Sequence, residues 1–142
     1  MHSTNHKAKI KSFTLIELLV VLAILSIIAA IGVPILTGFI NDAKETTAKN
    51  SLHSIAMIEA DWRSENGDYY GTNTGNQTAV INQNLFNGKK TLDEQGDYMY
   101  YIQIKNLSYS NFKAFAVPKN SSSSLSKICI DHNDEIKLGA RC

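Results

Sequence analysis

The residues able to do chemistry are few and widely spaced. Glu17 is the single charge in residues 13–40, which read FTLIELLVVLAILSIIAAIGVPILTGFI. A carboxylate near the start of such an apolar segment costs roughly 3 kcal/mol on membrane-insertion scales, so something must compensate it. Cys129 and Cys142 are the only cysteines, both near the end of the chain. In an exported domain an isolated pair favours a disulfide, and closing a loop of that size is worth about 3 kcal/mol in the chain-entropy model. Cys129, His132 and Cys142 could offer zinc three ligands, but a zinc site wants a fourth and needs free thiols. Asp131, Asn133, Asp134 and Glu135 gather oxygen atoms that calcium could use. They lack the acid-x-acid-x spacing of a dedicated loop, and turns favour Asp and Asn anyway, so a solvated hairpin turn is the simpler reading. His53 and His132 have no nucleophile with a recognisable motif beside them. With no Gly-rich phosphate loop, metalloprotease helix or paired catalytic acids, the chain reads as a non-enzyme without a cofactor.

The elements that must carry these residues fall into five stretches. Residues 1–12 contain Lys7, Lys9 and Lys11 and no acid; basic residues ahead of an apolar run keep that end in the cytoplasm. Residues 13–40 are long and apolar enough to cross a bilayer as a helix. The run is too long for a cleaved secretory signal and is not followed by Ala-x-Ala. Ser26, Gly32, Pro34 and Gly38 interrupt it, and Pro34 and the glycines loosen a helix. In residues 41–65, Ala48, Leu52, Ile55, Ile58 and Trp62 recur at spacings of three and four. That is the stripe of an amphipathic helix laid against a sheet. Residues 66–97 are rich in Gly, Asn, Thr and Gln and read as a surface loop with at most one short element around residues 79–86. Residues 98–142 alternate as strands: 98–105, 112–117 closed by Pro118, 125–131, and a short return at 135–138. The fold class is α+β, a long N-terminal helix packed on a small antiparallel sheet of three or four strands.

The 142 residues, 44% hydrophobic, suit one globular domain plus a membrane segment. Of 14 basic and 13 acidic residues, the first twelve positions hold three of the basic ones and no acid. Without them the chain carries 11 against 13, which argues against a general polyanion binder. Between Lys89 and Cys142 there are eight basic and six acidic residues, with Lys89 and Lys90 adjacent. That is a weak signal for DNA.

Lys11-Ser12-Phe13-Thr14-Leu15-Ile16-Glu17-Leu18, with the apolar run behind it, resembles the class III signal of type IV pilins and their pseudopilin relatives. The resemblance implies that a prepilin peptidase cuts between Ser12 and Phe13 and methylates the new Phe13 amine, leaving the apolar helix on the product. The family usually has Gly before the cut where this chain has Ser12, also a small residue. The resemblance further implies that Glu17 pairs with the Phe13 amine of a neighbouring copy during assembly. It implies that the helix around Gly32 and Pro34 melts in the filament, and that Cys129 and Cys142 bound a disulfide-closed C-terminal region. The expected function is a structural subunit, major or minor, of an extracellular type IV pilus serving adhesion, twitching motility or DNA uptake. The alternatives are a type II secretion pseudopilin and a minor pilin acting as DNA receptor. Expected partners are further pilin copies, the peptidase, an inner-membrane assembly platform with its ATPases, and lipid before assembly. The expected location is the bacterial inner membrane, single-pass with the N-terminus cytoplasmic, and then the extracellular pilus.

Overall fold

A computed structural model describes residues 12–104 and 111–142; the three leader lysines and most of the turn expected at residues 106–111 lie outside the described residues. Helix α1 spans Leu15–Asn66 and contains Pro34. Helix α2 is Thr78–Asn84. The strands are β1 (Tyr98–Ile104), β2 (Phe112–Pro118), β3 (Ile128–Asp131) and β4 (Ile136–Leu138). They form one antiparallel sheet in the order β1-β2-β3-β4. The chain divides into two units, one ending at Gly38 and one running Phe39–Cys142.

In the first unit every large apolar side chain from Leu15 to Leu36 is exposed. The helix has a mean hydropathy of 2.9 over its most apolar 18-residue window, so it is long and apolar enough to cross a membrane.

In the second unit the rest of α1 covers one face of the sheet. Ala48, Leu52 and Ile55 are buried against Tyr98, Tyr100, Ile102, Phe112, Ala114, Ala116, Ile128 and Ile130. Burying each such aliphatic side chain contributes about 1.5–3 kcal/mol. The stripe differs from the expected one. Ile58 and Trp62 are half-buried, and Glu59 is fully buried in line with Ala48, Leu52 and Ile55. Gly67, at φ +86°, ends the helix with its N–H on the Arg63 carbonyl at 2.8 Å, a left-handed C-cap that glycine adopts at least cost.

The stretch before β1 is less of a surface loop than its composition suggests. Ile81 and Leu85, one helical turn apart on and just after α2, are buried, and Leu92 joins them. Asn82 holds the returning chain: its Nδ2 donates to the Leu92 carbonyl and its Oδ1 accepts the Leu92 N–H, both at 2.9 Å. Strand β3 starts at Ile128, three residues later than the alternation predicts. Pairing stops at Ala116–Ile128; two positions further along β2 stands Pro118, which has no N–H for a ladder. Ser126 N–H turns instead to Glu45 Oε1 on α1, at 2.9 Å.

Candidate assembly site and the head

Ser12, Phe13 and Thr14 are not helical, and the helix begins at Leu15. Thr14 therefore caps the helix, with Glu17 three residues on. The two close on each other. Thr14 N–H and Thr14 Oγ1 both donate to Glu17 Oε2 at 2.9 Å, and Glu17 N–H donates to Thr14 Oγ1 at 3.3 Å. This reciprocal pair satisfies helix-terminal N–H groups that otherwise have no partner, and the carboxylate sits where the helix dipole favours negative charge. So the compensation Glu17 needs begins inside its own chain. A threonine followed by glutamate three residues later, just before an apolar run, was the available signal. Phe13 is 87% exposed beside it.

Further along, Ser26 Oγ donates to the Leu22 carbonyl at 2.7 Å and Thr37 Oγ1 to the Pro34 carbonyl at 2.8 Å. The helix keeps its polar hydroxyls on its own backbone. Gly32 and Gly38 lie in open space, where an added Cβ would meet nothing within 4 Å.

In the second unit, the head (Phe39–Cys142), Cys129 and Cys142 form a disulfide with Cα atoms 5.7 Å apart. Cys129 belongs to a row across the outer sheet face: register pairs Tyr101 with Phe115, Phe115 with Cys129, and Cys129 with Lys137. Tyr101 stacks on Phe115 with centroids 4.7 Å apart, and Lys127 Nζ lies 4.7 Å from the Phe115 ring centre. The thiols that a zinc site at Cys129, His132 and Cys142 would use are thus joined to each other.

The oxygens considered for calcium are occupied locally. Asp131 Oδ1 accepts the N–H of Asn133 at 2.9 Å and of Glu135 at 3.3 Å, and Oδ2 lies 3.5 Å from Lys137 Nζ. Partial burial alone would raise the Asp131 carboxyl, but the two N–H donors and Lys137 together hold it below the usual carboxylate range. Asp134 Oδ1 lies 3.0 Å from His53 Nδ1, tying the β3–β4 turn to α1. Among the described residues no group of three or more His, Cys, Asp or Glu converges as a metal site.

Residues 7–33 match a family profile described as the prokaryotic N-terminal methylation motif. Over 75 residues the chain is 36% identical to the type IV wide pilus major component PilA4 of Thermus thermophilus, covering 53% of this chain and 54% of that protein. Both likenesses concern type IV pilin-type sequence: the N-terminal methylation motif and a pilus major component. The chain spans about half the length of the curated relative it matches. The matched profile includes Ser12, Phe13, Thr14, Glu17 and Gly32 and ends one residue before Pro34. The long apolar helix and four-stranded antiparallel sheet are a pilin-like α+β arrangement.

Proposed function

We propose that this chain is a type IV pilin, a structural subunit of a type IV pilus. It is made as a single-pass precursor with the leader in the cytoplasm, cut between Ser12 and Phe13, and methylated on the Phe13 amine. The observation that carries the reading is the Thr14–Glu17 cap at the start of a helix half whose large apolar side chains are exposed among the described residues. In lipid the cap keeps Glu17 hydrogen-bonded, so the subunit tolerates its one intramembrane carboxylate. In the filament, apolar helix surfaces of many copies replace lipid and supply the bulk of the contact. The Phe13 amine of the next copy, protonated at neutral pH, then meets Glu17 and sets the register. Such a pair is tolerable buried only when complete.

A local opening around Gly32 and Pro34 would let the helix adjust to its neighbours, since Pro34 already lacks the N–H that would bond the Ala30 carbonyl. The peptidase, the assembly platform and its ATPases act on the chain, and the filament takes it from the inner membrane to the cell exterior. The role asked of the chain is to polymerise, which needs no catalytic group. Adhesion, twitching motility and DNA uptake are the tasks this filament would serve. Intact-mass measurement of the subunit tests the processing step. Loss of residues 1–12 with one added methyl on Phe13 is the expected result, and a mature chain starting elsewhere overturns the reading.

A further inference from the structure

Residues 69–78 run along the free edge of β1 and close it without forming a strand. Thr72 N–H donates to the Ile102 carbonyl at 2.8 Å, and Gln77 N–H to the Tyr100 carbonyl at 2.9 Å. In return, Ile102 N–H donates to Thr72 Oγ1 at 2.9 Å and Tyr100 N–H to Thr78 Oγ1 at 3.1 Å. Two threonine hydroxyls thus stand in for the carbonyls of a fifth strand. The edge cannot template pairing with another chain while this strap is on it. The approach is close: a Cβ on Gly71 would lie 2.7 Å from Ile104 Cγ1.

One buried group ties the strap to α1. Tyr70 N–H donates to Glu59 Oε2 at 2.9 Å. Glu59 is fully buried, and its Oε1 has no hydrogen-bond partner among the described residues. None of the ion pairs among the described residues involves it. On α1, Arg63 is spent on Tyr69, with Nη1 donating to the phenol at 3.0 Å and the guanidinium 4.7 Å over the ring. Asp61 and Glu65 are exposed. In the strap, the Tyr70 phenol takes a hydrogen bond from Asn84 Nδ2 at 2.6 Å, and its ring meets Trp62 edge-on at 5.3 Å. Helix α2 has no titratable side chain. In the sheet, the core-facing titratable groups are Tyr98 and Tyr100, while β2 and β3 offer only Phe112, Ala114, Ala116, Ile128 and Ile130. Among the described residues no cation is placed to balance a charge on Glu59. Ionised, the acid would hold a charge in the core with a single donor, far costlier than the neutral form.

We propose that Glu59 and residues 69–78 form a proton-held latch on the sheet edge. The neutral acid keeps the strap closed, and loss of its proton releases the strap and frees the N–H and C=O of Tyr100 and Ile102. Burial pushes the Glu59 acid up to about 8, with the Tyr70 N–H pulling the other way. In the open strap the acid meets water and returns toward its ordinary 4.5. The closed form therefore binds the proton more tightly. Opening is least favourable below pH 4.5, becomes easier as pH rises, and levels off above about 8.

The test is hydrogen exchange on the full chain in detergent micelles at pH 5.5 and 7.5, corrected for the intrinsic rate. The amides of Tyr70, Thr72, Tyr100 and Ile102 are expected to lose protection together, by up to about tenfold per pH unit. In Glu59→Gln, which keeps an acceptor for Tyr70 and cannot ionise, protection should be the same at both pH values. Equal protection in the unmutated chain, or the same fall in Glu59→Gln, overturns the latch. Should Glu59→Gln not fold, an NMR titration of the Glu59 carboxyl in the unmutated chain decides. A midpoint that tracks the loss of protection supports the latch, and a carboxyl titrating near 4.5 in the closed chain overturns it.

Discussion

The two halves of α1 share a helix and differ in where their apolar side chains find partners. Residues 15–38 are apolar on all sides and exposed throughout, while residues 39–66 carry one apolar stripe and bury it under the sheet. A helix apolar all round belongs inside something. The second half is solved within one chain. The first half needs lipid or other copies, and its one carboxylate is capped locally by Thr14. The buried stripe that holds the head and the apolar surface left exposed thus lie on separate parts of one element.

Five variants would break or sharpen that separation. Glu17→Leu as the sole copy should give the largest effect. Truncating one partner of a buried pair costs about 3–5 kcal/mol, so few or no filaments should be seen by electron microscopy, with subunits retained in the membrane and still cut after Ser12. Normal filament yield would remove the inter-copy pair. Leu52→Ala should cost the head about 2–5 kcal/mol through the cavity it leaves, read as a lower unfolding midpoint. Leu25→Ala, the same change in the first half, should leave that midpoint within about 0.5 kcal/mol; a large shift would show that the halves are not separate. Replacing Cys129 and Cys142 by Ser should cost about 3 kcal/mol in the same melt and leave membrane insertion unaltered. Thr14→Ala should cost about 1 kcal/mol of capping, seen as faster amide exchange in the first turn with the head unchanged.

Periodic features were legible in the sequence. The alternation expected over residues 98–105 is β1, Tyr98–Ile104, with Tyr98, Tyr100 and Ile102 buried on one face, and the apolar character of residues 13–40 is plain from composition. What escaped reading depends on a partner far away or on one hydrogen bond. Glu59 looks like a wet helical residue until Tyr70 and the sheet cover it. Thr72 and Thr78 look like loop polarity until they meet the edge of β1. Leu125 fits a strand, but the register set further along places Pro118 beyond the last paired position. In the candidate site, the pattern named Glu17 but not Thr14, because a neutral hydroxyl and an N–H carry no charge to mark them as partners of a carboxylate.

The sheet order has a consequence for the sequence of events as the chain emerges. Each ladder joins strands that are neighbours along the chain. Every pairing therefore closes a short stretch of polypeptide, which is the regime of rapid folding. β4 comes last, three residues long and already antiparallel to β3. Its pairing brings the end of the chain back beside Cys129, leaving the two cysteine Cα atoms 5.7 Å apart. The oxidant that joins the two sulfurs then has nothing to search for. It records a topology that backbone pairing has already chosen, and a stalled or mispaired hairpin would be left with its thiols unjoined.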